Sequence, residues 1–336
     1  MQLKSPYLIF LGDLKNTSFA KTAFGLYDWC PEACIGQYRF PGCRVDLGLP
    51  DLSPGEAAAR GAQSLLIGVT PIGGHMIPSW HAVIVEALES GLDIVSGMHT
   101  RLEEDAAIAD SARRAGRNLH NVRHPQGGFP IATGRRRRGR RLLTVGTDCG
   151  IGKKYTALSV TRALQAKGVK ATFRATGHTG IMIAGEGVAI DAVVSDFIAG
   201  AAEQLSPDND PDHWDVIEGQ GSLFHPAYSG VSLGLLHGSQ PDALILCHDP
   251  RRGHMTGFPN YPIAPLGEVI DLHLTLARRV NPNTHFVGIS LNTAGMDPSE
   301  REDHIAATHM SFGISVFDPL HGHLDGVLAA LDARTC

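Results

Sequence analysis

The run Gly146-Thr-Asp-Cys-Gly-Ile-Gly-Lys-Lys-Tyr-Thr156 joins a short apolar stretch, Leu142 to Val145, to a helical pattern opening at Tyr155. Strand, glycine-rich turn and helix in that order aim backbone N–H groups and the positive end of the helix at one spot, and Lys153 adds a full charge. Such a spot binds phosphate. Gly146, Gly150 and Gly152 allow backbone conformations and a close approach that a side chain would hinder. The expectation is that Gly146, Thr147, Asp148, Cys149, Gly150, Gly152, Lys153, Lys154, Tyr155 and Thr156 hold the phosphates of a cofactor.

The loop departs from the common phosphate-loop pattern. Five residues separate Gly146 from Gly152, and Lys154 stands where a Mg²⁺-binding hydroxyl normally follows the lysine. Thr156 comes two residues late, and each helical step turns a side chain by about 100°. The loop is therefore expected to hold a diphosphate, with Lys154 as a second phosphate ligand and no bound metal. ATP with Mg²⁺ is the alternative cofactor. Cys149 is expected to offer its backbone amide rather than a thiolate.

A second group follows a short apolar run ending at Ile217: Glu218, Gln220, Ser222 and His225. Residues at the carboxyl ends of parallel strands line the ligand crevice of an open α/β sheet, so Glu218 and His225 are candidate proton-transfer groups. Asp191 is a third candidate catalytic residue, balanced against a helix-capping role. Farther upstream, His75, His99 and Arg101 also follow apolar runs and suit a substrate that bears carboxylates. Cys30, Cys34 and Cys43 lack the paired spacing and nearby histidine of a zinc set.

The elements that must position these groups alternate regularly. Strand patterns at 7–11, 34–39, 64–70, 93–96 and 118–123 interleave with helical ones at 19–27, 54–60, 79–88 and 103–115. Such alternation means a parallel sheet covered on both faces, so residues 1–133 read as a Rossmann-like domain. The glycine fingerprint of dinucleotide binding is missing after the first strand, which disfavours NAD. Strands at 142–145, 170–175, 215–217, 243–247, 286–291 and 314–317, with helices at 155–166, 191–203, 267–279, 299–309 and 324–333, make residues 142–336 a doubly wound, P-loop NTPase-like domain. Between the two lies Gly134-Arg-Arg-Arg-Arg-Gly-Arg-Arg141, residues 134–141, read as a solvated basic linker.

Composition narrows the class. A chain of 336 residues suits two domains, and its 43% hydrophobic and 19% charged shares are ordinary for a globular protein. No apolar run approaches the ~18 residues of a membrane span, and the first residues lack the pattern of a secretion signal. A cytoplasmic protein with reduced cysteines is expected, and one that is not bound to membrane. The net charge of −5 gives no general attraction to nucleic acid. The partners expected are a small-molecule substrate and further copies of the chain in a homo-oligomer.

Val145-Gly-Thr-Asp-Cys-Gly-Ile-Gly-Lys153, Thr179-Gly-Ile-Met-Ile-Ala-Gly185, Ile190-Asp-Ala-Val-Val-Ser-Asp-Phe197, Glu218-Gly-Gln-Gly-Ser222 and Gly234-Leu-Leu-His-Gly238 together resemble the bacterial D-glutamate N-acetyltransferase family. Ile67-Gly-Val-Thr-Pro-Ile-Gly-Gly74 and Gly91-Leu-Asp-Ile-Val-Ser-Gly-Met-His99 extend the likeness over nearly the whole chain. The resemblance implies acetyl transfer from acetyl-CoA to the amino group of D-glutamate, in D-amino-acid catabolism, with the coenzyme's diphosphate on the loop. It also implies a base, Glu218 or His225, and cationic partners for two carboxylates, for which Arg44, Arg101 and Arg251 are the choices. The loop and Glu218-Gly219 are similar to dethiobiotin synthetase as well, so an ATP- or GTP-dependent ligase or kinase is a competing expectation. A non-catalytic nucleotide sensor is the third.

Overall fold

The structure is a computed structural model and describes residues 3–332 other than Thr70, Ile72, Gly73, Gln126 and His323. The expected end of one strand at Thr70 and of the last helix at Ala333 lie outside the described residues. The chain forms two compact units, Met1–Gly127 with Gly177–Ala192, and Gly128–Thr176 with Val193–Cys336.

The first unit is built from β1 (Tyr7–Gly12), α1 (Lys21–Trp29), β2 (Cys34–Arg39), α2 (Pro54–Ala59), β3 (Ser64–Ile67), α3 (His81–Glu89), β4 (Asp93–Ser96), α4 (Ala106–Ala115) and β5 (Leu119–Asn121). The sheet is parallel throughout, in the order β2-β1-β3-β4-β5. Its central strands are buried on both faces, which is why Leu8-Ile-Phe-Leu11 and Leu65-Leu-Ile67 read as unbroken apolar runs. Local signals set the helix ends: Ser53 and Glu56 form a reciprocal capping box on α2, Asp105 accepts from Ala107 and Ile108 at the start of α4, and Gly116 closes α4 in the left-handed region.

The second unit contains β6 (Arg140–Gly146), α5 (Lys153–Ala166) and β7 (Ala171–Arg174). The chain then leaves it for α6 (His178–Ala184), which packs on α1 in the first unit, and returns with α7 (Ile198–Leu205) and β8 (Trp214–Ile217). There follow α8 (Ser229–Ser239), β9 (Ala243–His248), an antiparallel hairpin of β10 (His254–Met255) and β11 (Phe258–Pro262), α9 (Leu266–Ala277), β12 (His285–Leu291), α10 (Pro298–Phe312), β13 (Ser315–Phe317) and α11 (Asp325–Asp332). The parallel sheet runs β13-β12-β9-β6-β8-β7, so the strand feeding the phosphate loop is central. Leu142, Val160, Leu164, Val216, Ile245, Phe317 and Val327 form the core of this unit. Each such side chain, fully buried, stabilises the fold by about 1.5–3 kcal/mol. Both units are α/β with parallel sheets, as the strand–helix alternation requires.

Three local departures from the sequence reading have physical causes. The helix expected over 191–203 begins only at Ile198, and residues 190–197 form two separate 3-10 turns, where Val193-Val194 and Ser195-Asp196 disfavour a continuous helix. Helix α8 was hidden by its glycines. They are there for packing: a Cβ on Gly234 would lie 2.5 Å from Ile198, and one on Gly238 would lie 2.2 Å from the Ala199 carbonyl oxygen. The arginine run is the third departure, because its solvated reading fails at Arg137 and Arg141, which are buried. Arg137 donates to the carbonyls of Glu203, Ser206, Gly238 and Ser239, at the C-terminal ends of α7 and α8, where helix dipoles favour a cation. Arg141 lies on β6 itself and donates to Ser206 Oγ and to the Arg138 and Pro207 carbonyls. Among the described residues no helix is long and apolar enough to cross a membrane.

Candidate functional site

In the second unit the loop between β6 and α5 closes on its own lysine. Lys153 is buried, and its ammonium donates to the Asp148 carbonyl oxygen at 2.6 Å. Burial pushes its pKa down. A phosphate oxygen would give this ammonium a direct charged partner beside the Asp148 carbonyl. Thr147 Oγ1 lies 3.1 Å from His248 Nδ1, and Gly150 and Gly152 both take positive φ, as the turn into α5 demands.

The two side chains expected to decide metal binding have these neighbours. Lys154 places Nζ 5.2 Å from the centre of the Tyr155 ring. Thr156 is fully buried, with its hydroxyl 2.7 Å from Ser290 Oγ and donating to the Gly152 carbonyl. The Thr156 hydroxyl is thus not offered to the mouth of the loop.

Asp148 is the most heavily engaged residue of the loop. Its Oδ2 accepts from Arg252 at 2.7 Å, from the Thr256 amide at 2.9 Å and from the Thr256 hydroxyl at 3.1 Å. Burial alone would raise its pKa, but these donors outweigh it and hold the carboxyl below the usual range. Arg252 also donates to the Cys149 carbonyl at 2.6 Å. Sequence reasoning chose Arg251, which donates instead to the Ala294 carbonyl and is exposed. Nothing in the local pattern distinguishes the two neighbours, so the sequence offers no ground for preferring Arg252 to Arg251.

The other oxygen of Asp148, Oδ1, has no hydrogen bond among the described residues and lies 3.7 Å from His225 Nε2, which is equally orphaned and buried. The backbone N–H of Ala227 donates to His225 Nδ1 at 3.1 Å. An N–H only donates, so Nδ1 is the acceptor and the neutral ring carries its proton on Nε2. Burial pushes the His225 pKa down, which favours that neutral ring. His225 is thus built as a hydrogen-bond donor. The same tautomer bears on the Asp148, Cys149 and His225 ligand atoms, which lie within 4.8 Å of one another. A cation there would need a lone pair on Nε2, where the ring holds a proton. Burial raises the Cys149 pKa, and the Cys34 thiol is pushed up to about 12 for the same reason, so neither is poised as a thiolate.

Glu218 stands at the end of β8, next to β6. It is buried, and its Oε2 accepts the Thr176 N–H at 3.0 Å while the Thr176 hydroxyl donates to its carbonyl. Gly219 lets the chain pass close: a Cβ there would fall 1.6 Å from the Thr144 carbonyl oxygen.

Gln220, in the second unit, donates to the Thr176 hydroxyl at 2.9 Å, and the substrate-binding candidates Arg44, His75, His99 and Arg101, with Asp191, belong to the first unit. Arg44, His99 and Arg101 are exposed. Asp191 does not cap a helix; it pairs with Arg123, a residue the sequence reading passed over. The Arg123 Nε donates to the Gly97 carbonyl at 3.0 Å, and its Nη2 donates to His178 Nδ1 at 2.8 Å. With Nδ1 accepting, His178 holds its proton on Nε2, 3.2 Å from the Thr22 hydroxyl. Around the same strand ends, His75 Nδ1 lies 3.1 Å from Thr100 Oγ1, and His124 Nε2 donates to the His99 carbonyl at 2.8 Å.

Residues 39–125 match the family model of the Rossmann-like N-terminal part of DUF1611, a domain of unknown function, and residues 130–328 match that of its P-loop domain. A D-glutamate N-acetyltransferase from Tritonibacter scottomollicae is 49% identical over 98% of this chain and 100% of its own. The chain belongs to the D-glutamate N-acetyltransferase family. A second such enzyme, from a Pseudoalteromonas species, is 44% identical over 98% of this chain and 100% of its own. The crystal structure of a DUF1611 family protein from Anabaena variabilis superposes with a TM-score of 0.87 at 33% identity, covering 98% of this chain and 100% of that one. In this family of enzymes the Rossmann-like and P-loop parts are thus carried in one chain, and the α/β class read from the sequence holds for both.

Proposed function

We propose that the chain transfers the acetyl group of acetyl-CoA to the amino group of D-glutamate, as a step in the catabolism of D-amino acids. Full-length relatives that bear this activity in their names support the reaction and the acceptor. The observation that carries the choice of donor is the phosphate loop, which keeps Lys153 but buries the Thr156 hydroxyl against Ser290. It is suited to a diphosphate that needs no metal-bound terminal phosphate.

The reaction needs a neutral amine to attack the thioester carbonyl, donors for the oxyanion that forms, and a proton for the departing thiolate. With the coenzyme diphosphate on the loop, its thioester lies at the end of an arm comparable to four extended residues, ~14 Å away. With that arm extended, Glu218 and His225, beside the loop, lie away from the amine. His225, with its proton on Nε2, serves as a donor to a phosphate oxygen, and Arg252 neutralises Asp148 so that the loop accepts an anion. Melting curves with acetyl-CoA, ATP and NAD in parallel at equal concentration test the choice, because a ligand that binds the folded chain raises Tm by an amount that grows with the logarithm of its concentration over Kd. Acetyl-CoA is expected to give the largest shift. A larger shift with ATP and Mg²⁺ would favour a ligase or kinase.

A further inference from the structure

The sheet β2-β1-β3-β4-β5 is open and parallel, and in such sheets ligands bind outside the carboxyl ends of the strands, here those of β4 and β5. At that edge of the first unit Arg123, Asp191 and His99 meet with His75, His124 and His178. Three of the five N–H groups of Arg123 are occupied, by Gly97, Asp191 and His178. Two remain for a ligand. Asp191 uses one oxygen on Arg123, and its other has no hydrogen bond among the described residues. Neither ring nitrogen of His99 has a hydrogen-bond partner among them, and the residue is exposed.

We propose that this cluster is the receptor for an α-amino acid: Arg123 holds a carboxylate, Asp191 holds the ammonium, and His99 takes the proton that the ammonium must lose. An adjacent cation and anion are complementary to a zwitterion, whereas a simple dicarboxylate would meet Asp191 as a like charge. The proton step is balanced: the ammonium N–H bond breaks, the pair stays on nitrogen as the attacking amine, and His99 becomes imidazolium. Partial desolvation of the ring and the neighbouring Arg123 hold the His99 pKa down, with His124 and His75 acting in the same direction and Asp191 against them, which favours the neutral, proton-accepting ring. The inference rests on the acceptor named above.

The test compares D-glutamate with glutarate, which has the same two carboxylates and no amino group, by calorimetry on the full chain. Asp191→Asn is expected to weaken D-glutamate by about tenfold or more while leaving glutarate unchanged or tighter. His99→Asn, at an exposed position, is expected to leave D-glutamate affinity within about threefold, lower kcat by about a hundredfold and remove the acid limb of its pH profile. Equal losses for both ligands in Asp191→Asn, or no loss for either, would make the Arg123–Asp191 pair a structural strut and overturn the proposal. So would an unchanged kcat in His99→Asn. A wild-type chain that binds D-glutamate here but releases no thiol from acetyl-CoA would instead refute the acetyl-transfer reading and leave this receptor standing.

Discussion

The hydroxyl of Thr156 sits 2.7 Å from that of Ser290, behind the phosphate loop and sealed from solvent. A hydroxyl held there is a piece of the packing between α5 and β12. Thr156→Val should therefore cost about 1 kcal/mol of stability and leave acetyl-CoA affinity unchanged. Lys153→Ala should do the reverse, keeping the fold while weakening cofactor binding by about 1.5–3 kcal/mol, on the order of tenfold to a hundredfold. Calorimetric Kd values together with urea unfolding separate the two effects. Equal Kd values for wild type and Lys153→Ala would remove the loop from the binding site.

Arg137 is tied to four carbonyls and belongs to the frame of the second unit. Arg137→Ala leaves those helix ends uncapped in the interior and should cost about 3 kcal/mol. Arg135→Ala, whose side chain is exposed, should leave Tm unchanged. If both variants melted like the wild type, the arginine run would be a surface feature after all.

Asp93 supplies a pH dependence. Burial would raise its pKa, but the Asn118 amide and side chain and Lys4 outweigh that and hold it below the usual carboxylate range. A folded pKa lower than the unfolded one means stability that is fully present above the unfolded value, near 4, and lost as pH falls from there through the folded value. Tm should therefore drop below about pH 4, and Asp93→Asn should flatten part of that slope at the cost of stability at neutral pH. A Tm profile with the same acid slope in the variant would exclude this contribution.

The sequence made local features legible and distant pairings opaque. The loop from Gly146 to Thr156 could be read because strand, turn and helix follow one another along the chain, and the sheets could be read because buried strands leave apolar runs. Arg123 could not be picked out, since its partner Asp191 comes from 68 residues farther along, on a segment that departs from the second unit. The donor role of His225 depends on the Ala227 amide, and the roles of Arg251 and Arg252 depend on which way two identical side chains turn. The burial of Arg137 likewise needs the ends of two helices that only the fold brings together.

Free thiol released from acetyl-CoA measures a metal-independent acetyl transfer directly. With D-glutamate present, thiol should appear together with N-acetylated product, and EDTA should leave the rate unchanged, because Lys154 stands where a Mg²⁺-binding hydroxyl would follow the loop lysine and the Thr156 hydroxyl is turned to Ser290. ATP turnover with no thiol release, or a rate that vanished in EDTA and returned with magnesium, would contradict the account.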